Sequence, residues 1–389
     1  MKRVLALMVL VFVGAGLWLV FGVESLEAQH VYVHDENKQI VVEFEWGDDS
    51  VQNLNSIIRE SENSIEILFG PGEYLFHQAL EINNKDGVFI SGSKATWVFP
   101  DGAKVIAVLE QDVLVGDVEL YVYDDEDLRS GQRYQVYKED RSGDRLLEFE
   151  VKEVSDNTMI LTKPVSFMQH VDEILEGSIL LEEINFLRIN DSKNVEIRDL
   201  VFDGKEIGDV RGHTIYSGLI AEKPYGDDLG DNEDENIVID NCVFKNFKGR
   251  GITFYGFSGV SVVNSKFENI LAEAIEIDHF SQGEVRGNYV SKSAVAIQLN
   301  DAYDSVVDSN ELIDNGHGVF FVSHYEDPSV NTGNKVINNL IEGSSVAAIK
   351  LSDQSKNNEI SENTLIKNEV YFAGNTSENE IFDNSLDIE

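Results

Sequence analysis

Gly251-Ile252-Thr253-Phe254 is followed by Ala274-Ile275-Glu276-Ile277 and Ala296-Ile297-Gln298-Leu299, then by Gly318-Val319-Phe320-Phe321 and Ala348-Ile349-Lys350-Leu351. The first apolar residue of each phrase falls at 252, 275, 297, 319 and 349, so the steps are 23, 22, 22 and 30 residues. A small residue followed by apolar-any-apolar has the period of a strand with one buried face. A unit this short cannot enclose its own apolar side, so successive units must stack into a solenoid. One strand of this kind per unit is too few for a propeller blade, and no helical period is present. The expected fold is all-β, a right-handed single-stranded parallel β-helix.

A second series runs in the same register. Asn288, Asn310, Asn339, Asn363 and Asn384 each precede a short apolar pair or triplet, and Asn241 and Asn264 hold nearly the same place in two earlier coils. Stacking sets like residues ~4.8 Å apart. Asn tolerates a left-handed turn, and its amide bonds to the amides above and below. These residues are read as structural.

The chain carries 71 acidic and 30 basic residues, a net charge of −41. Nucleic acid is excluded as a partner, because phosphates are bound through Lys and Arg clusters. Anionic substrates are repelled at long range unless a basic groove or bound cations reverse the field. The single Cys242 can form no internal disulfide, so stacking and burial must hold the fold. Met1-Lys2-Arg3 followed by the uncharged apolar run Val4–Val23, with Leu26-Glu27-Ala28 as a cleavage site, reads as an export signal over residues 1–28. The run is also long enough to stay in a bilayer as an anchor. No later segment has the composition to cross a membrane, so a secreted or cell-surface location is expected.

Residues 29–111 divide into a β-rich lead-in at 29–46, a short helix at Ser50–Glu60, and the first coils. Ile65-Glu66-Ile67-Leu68-Phe69 is a strand, Gly70-Pro71-Gly72-Glu73-Tyr74-Leu75 a turn into another, and Gly87-Val88-Phe89-Ile90-Ser91-Gly92-Ser93 a third. This helix, Pro-Gly-x-Tyr turn and strand ending in Gly-Ser resemble the start of pectin lyase-like β-helix proteins, among them phage tailspikes and extracellular polysaccharide enzymes. With the later coils the resemblance covers about residues 48–105 and 180–387. It implies an extracellular glycan as partner and says little about the reaction; lyase or epimerase chemistry is favoured by the outward Tyr, Asp and His of the later coils. Residues 112–166 break the coil pattern with short strands and resemble the small β-barrel inserted in some members, either a spacer or a carbohydrate contact. Residues 167–389 form the main β-helix.

Two long excursions leave it. Lys205–Asp234 contains His213, Tyr216 and an acidic run continuing to Glu235; Ser323–Gly333 contains His324, Tyr325, Glu326 and Asp327. Excursions from a rigid solenoid rim its binding face. No motif demands a cofactor. Calcium, through hard oxygen ligands in the acidic run, is the one candidate. The last coil has no capping helix after it, which leaves association between copies open.

With Ile252, Ile275, Ile297, Val319 and Ile349 inward, Thr253, Glu276, Gln298, Phe320 and Lys350 form an outward column. Tyr255, Asp278, Asn300, Val322 and Ser352 form the next, with His279 and Asp301 at the strand ends. The catalytic candidates are Tyr255, Glu276, Asp278, His279 and Asp301. Arg250, Gln298, Asn300, Phe320, His324 and Lys350 are candidates for holding substrate. Two chemistries suit the cluster. His279 and Tyr255 can serve as base and acid for proton removal at sugar C5, with Arg250, Lys248 or a protonated Asp278 neutralising the substrate carboxylate. Alternatively Glu276 and Asp278, ~6.6 Å apart along the strand, suit inverting hydrolysis. A binding or adhesion protein without catalysis is the third alternative.

Gly316-His317-Gly318 and Ala348-Ile349-Lys350 resemble the Gly-His-Gly and Arg-Ile-Lys of polygalacturonases, but Ser293-Ala294-Val295 stands where their paired Asp is expected. Tyr255-Gly256-Phe257 resembles the start of the mannuronan C5-epimerase signature, with Ser258 in place of its Asp, and His317-Gly318-Val319 resembles their His-Gly strand. Neither signature is complete. His317, in a column with Arg250 and Glu273, is read as a turn histidine.

Overall fold

The structure, a computed structural model, describes residues 6–387 apart from 14–15, 24–28, 36–37, 45–48, 63, 100–104, 124–127, 140–145, 167–170, 172, 183–184, 206–216, 223–234, 279–281 and 324–330, and for 6–23 the backbone alone. Within the run read as an export signal, Ala6–Val13 and Gly16–Val23 pair as an antiparallel hairpin. Among the described residues no helix is long and apolar enough to cross a membrane.

The main body is a right-handed parallel β-helix with three walls. One wall, here the site sheet, has nine strands: Leu80–Asn83, Asn185–Asn190, Ser217–Glu222, Ile252–Tyr255, Glu273–Asp278, Val295–Asn300, His317–Val322, Ala347–Leu351 and Phe372–Gly374. Its partners are all parallel. The repeated phrases stack as the spacing requires, with Ile252 opposite Ile275, Ile275 opposite Ile297, Ile297 opposite Val319 and Val319 opposite Ile349. All five are fully buried in one continuous core. Towards the N-terminal end the core becomes an aromatic stack, in which Phe202, Phe244 and Phe267 lie nearly parallel at centroid spacings of 4.5 and 5.0 Å. The small residue opening each phrase has a steric cause at Gly251, where an added Cβ would lie 2.3 Å from the Ala274 carbonyl oxygen.

The N-terminal end is closed by the hairpin Gln29–Asp35/Lys38–Phe44, which pairs antiparallel with Ile65–Phe69, and by a helix at Asp49–Glu60. Val51, Leu54 and Ile58 of that helix are buried against the core, the spacing of one helical face.

The ladder Asn residues behave as read, with one correction. Asn288 donates through backbone and side chain to Asn310 Oδ1, Asn310 to Asn339, Asn339 to Asn363 and Asn363 to Asn384, at 2.9–3.0 Å. The left-handed residue is the one before: Asn241, Asn264, Gly287, Ser309, Asn338, Glu362 and Asp383 have φ of 50–65°. Asn241 and Asn264 therefore belong to the turn column, and the buried column continues upward as Ser265 and Cys242.

The barrel inserted near the N-terminus has six strands, in the order Glu119–Tyr121, Thr158–Leu161, Leu147–Ser155, Arg133–Tyr137, Ile179–Glu182 and Val105–Val108. A bridge between Leu109 and Val122 joins the two edge strands and closes the ring. It has its own core, from Ala107 to Leu180. Leu180 points into that core, while Ile179 and Leu181 on the same strand pack into the core of the β-helix.

Candidate functional site

The site sheet differs from the other walls in its burial. Ile237–Asp240 and Val260–Val263 alternate buried and half-buried, as a wall with one wet face should. Every residue of Glu273–Asp278 and Val295–Asn300 is buried. The outward columns thus place polar and charged side chains away from water, where each needs a partner.

The columns form in the expected register. Thr253, Glu276, Gln298, Phe320 and Lys350 lie opposite one another on successive strands, as do Tyr255, Asp278, Asn300 and Val322. Glu276, fully buried, is their electrostatic centre. Its Oε2 lies 2.7 Å from Arg250 Nη1 and accepts from Thr253 Oγ1 at 3.2 Å, while Oε1 accepts from Gln298 Nε2 at 2.7 Å. Arg250 Nε donates to Glu273 Oε2 at 2.8 Å, and Nη1 also contacts the Tyr255 hydroxyl. Burial pushes the Glu276 carboxyl up to about 8, assisted by Asp278 and Glu273 and opposed by Arg250. Burial likewise raises Tyr255 well above the usual phenol range, so its hydroxyl keeps its proton. Arg250, flanked by Glu276, Tyr255 and Glu273, stays a cation.

Glu273 was not singled out by sequence. Strict alternation would turn it inward with Ile275, but Ala274 and Ile275 both pack in the core, and Glu273 is buried against Arg250, whose Nη1 reaches outward Glu276. Arg188 is a second buried arginine on this wall, 3.2 Å from Glu222, whose strand neighbour is Tyr255. Asp278 is buried beside Tyr255 and Asn300 beside Asp278, and Asp301 is buried at the strand end with φ 50°. His279 and His324 lie outside the described residues, as do His213, Tyr216 and the acidic run up to Asp234. Among the described residues no three His, Cys, Asp or Glu side chains converge as a metal site.

The wall opens further along. Phe320 faces outward, with the His317 ring stacked on it at 4.8 Å and Lys350 Nζ 4.4 Å from its centroid. Burial and Lys350 lower the His317 pKa, so the ring is neutral near pH 7. Its buried Nδ1 has no hydrogen-bond partner.

The family described as "Right handed beta helix region" matches residues 228–386. No curated protein matches the chain. Among solved structures, an exopolygalacturonase from Thermotoga maritima aligns at 10% identity over 87% of this chain and 75% of its own, with a TM-score of 0.47. A family 28 exopolygalacturonase from Yersinia enterocolitica aligns at 11% identity over 91% and 69%, with a TM-score of 0.42. The A-module of a mannuronan C-5 epimerase from Azotobacter vinelandii aligns at 11% identity over 88% and 96%, with a TM-score of 0.33. The fold itself rests on the strand pairings of this chain.

Proposed function

We propose that this protein is exported and acts on an extracellular polysaccharide at the outer face of the site sheet, by acid–base chemistry centred on Tyr255, Asp278 and Asn300. The observation that supports the reading is their file across three neighbouring strands, one strand spacing apart, on a wall whose outer face carries buried charge. On a uronate chain that displaces what covers Asp278, which is 1% exposed, Asp278 takes the proton from C5, the electron pair expels the glycosidic oxygen from C4, and half-buried Tyr255 donates its proton to that oxygen. Asn300 offers amide N–H groups to the substrate carboxylate, where negative charge grows in the transition state. Epimerisation begins with the same abstraction and returns a proton from the opposite face. His279 is a candidate for either proton. Arg250 has a different part: its Nε is paired with Glu273 and its Nη1 is bonded to Glu276 and the Tyr255 hydroxyl, so it orders that hydroxyl and leaves the substrate carboxylate to others.

Inverting hydrolysis is the second reading, and the raised pKa of Glu276 beside Asp278 favours it. The two readings differ in product. Incubation with alginate, polygalacturonate and neutral glycans, with and without calcium, is followed by ultraviolet absorbance for unsaturated ends, by deuterium uptake at C5 in heavy water, and by reducing-end assay. Unsaturated ends or deuterium uptake is expected, lowered about 100-fold or more in Asp278→Asn. New reducing ends without a double bond replace the first reading with the second. Glycan binding without turnover, undiminished in Asp278→Asn, makes the protein a binding module.

A further inference from the structure

We propose that the outer face of the inserted barrel carries a second glycan site, a platform of Tyr121 and Tyr123 that takes an uncharged saccharide chain. The inference rests on the barrel alone and stands whichever chemistry the site sheet performs.

The edge strand alternates cleanly. Leu120 and Val122 fill the barrel core, while Glu119, Tyr121 and Tyr123 point outward, with the two rings 37% and 55% exposed. Their Cα atoms are ~6.6 Å apart by the rise of a strand, so both rings lie along one line on one surface. Each phenol is tied down at its far end. Tyr121 donates to Glu119 Oε2 at 3.1 Å and Tyr123 to Glu176 Oε1 at 2.6 Å. The two carboxylates hold both hydroxyls in the protonated, donating state. On the neighbouring strand Thr158 lies opposite Tyr121, and on the other side the Glu110 N–H donates to the Tyr121 carbonyl at 2.8 Å.

The two anchored rings stand in line and open to water. Tyr combines an apolar ring with a polar tip, which suits ligands that are apolar on one face and hydroxylated at the rim. A pyranose meets both demands: its axial C–H groups stack on the ring, and its hydroxyls donate to Glu110, Glu119 and Glu176, which accept only. The charge selects among glycans. Asp112, whose Oδ1 accepts from the Glu176 N–H at 2.8 Å, joins these three carboxylates, and no described Lys or Arg forms an ion pair with any of the four. A uronate chain is repelled there.

The test is affinity electrophoresis of the full chain in gels containing galactomannan, xyloglucan, mixed-linkage β-glucan or polygalacturonate, with polylysine as a basic competitor. Retardation is expected in at least one neutral gel, and any retardation by polygalacturonate should survive Tyr121→Ala/Tyr123→Ala, because the site sheet and not the platform takes a uronate chain. The Tyr121→Ala/Tyr123→Ala pair should weaken neutral-gel retardation about tenfold or more, and Tyr123→Phe, which keeps the ring, by no more than about threefold. Asp278→Asn should leave the neutral-gel retardation unchanged, which separates this platform from the site sheet. Far-UV circular dichroism and melting confirm that the variants fold. Absence of retardation in every neutral gel overturns the proposal, as does neutral-gel retardation that survives the double substitution. Binding to polylysine or polygalacturonate alone also overturns it, the former in favour of a basic protein partner.

Discussion

Glu276 accepts from Arg250, Thr253 and Gln298 while fully buried, so its ionisation is tied to the folded state. Its folded pKa of about 8 lies above the ordinary 4.5. The folded chain therefore holds this proton more tightly than the unfolded chain. This contribution to stability is complete below about 4.5, falls as the pH rises, and is lost by about 8. Glu276→Gln removes that titration. The melting temperature of the native chain minus that of Glu276→Gln should decline from pH 4.5 towards pH 8; a difference flat across this window would sink the assignment. Outward Glu276 and Gln298 were legible from period two alone. The pairing of Glu276 with Arg250 was not, because those residues meet only when one coil sits on the next.

At the scale of the turn, two neighbouring asparagines do unlike work. Asn338 adopts φ 57° and makes one exposed bond to Asp308, whereas buried Asn339 donates to Asn363, Val307 and Ile337 and accepts from Asn310. Asn338→Gly should shift stability by no more than about 0.5 kcal/mol, since glycine adopts this backbone freely. Asn339→Ala should cost on the order of 3 kcal/mol, because it leaves several buried groups without partners. Urea midpoints compare them, and equal losses would contradict the division of labour. The sequence shows that a ladder exists, yet it cannot say which member of an Asn pair bends. Ser265 and Cys242 occupy the buried column in earlier coils, which is why Asn264 and Asn241 read as its continuation.

For the whole molecule, the net charge of −41 sets a repulsive term that the stacked core must overcome. Raising the salt from about 0.01 to about 0.15 M shortens the Debye length from ~30 to ~8 Å. The melting temperature should rise over that interval, and a fall would mean that the surface ion pairs outweigh the repulsion. The fold itself was set by the sequence, because a strand phrase too short to bury its own face has to stack, and stacking dictates which side chains share a column. The inward residues at 252, 275, 297, 319 and 349 follow from that strand periodicity, and the helix at the N-terminal end from its own helical spacing at Val51, Leu54 and Ile58. Only the tertiary structure decided that the outer face of one wall is buried, that Arg250 is held by two glutamates, and that strand Ile179–Glu182 serves two cores. Local pattern records which way a residue points, whereas burial and charge pairing depend on what distant segments bring to meet it.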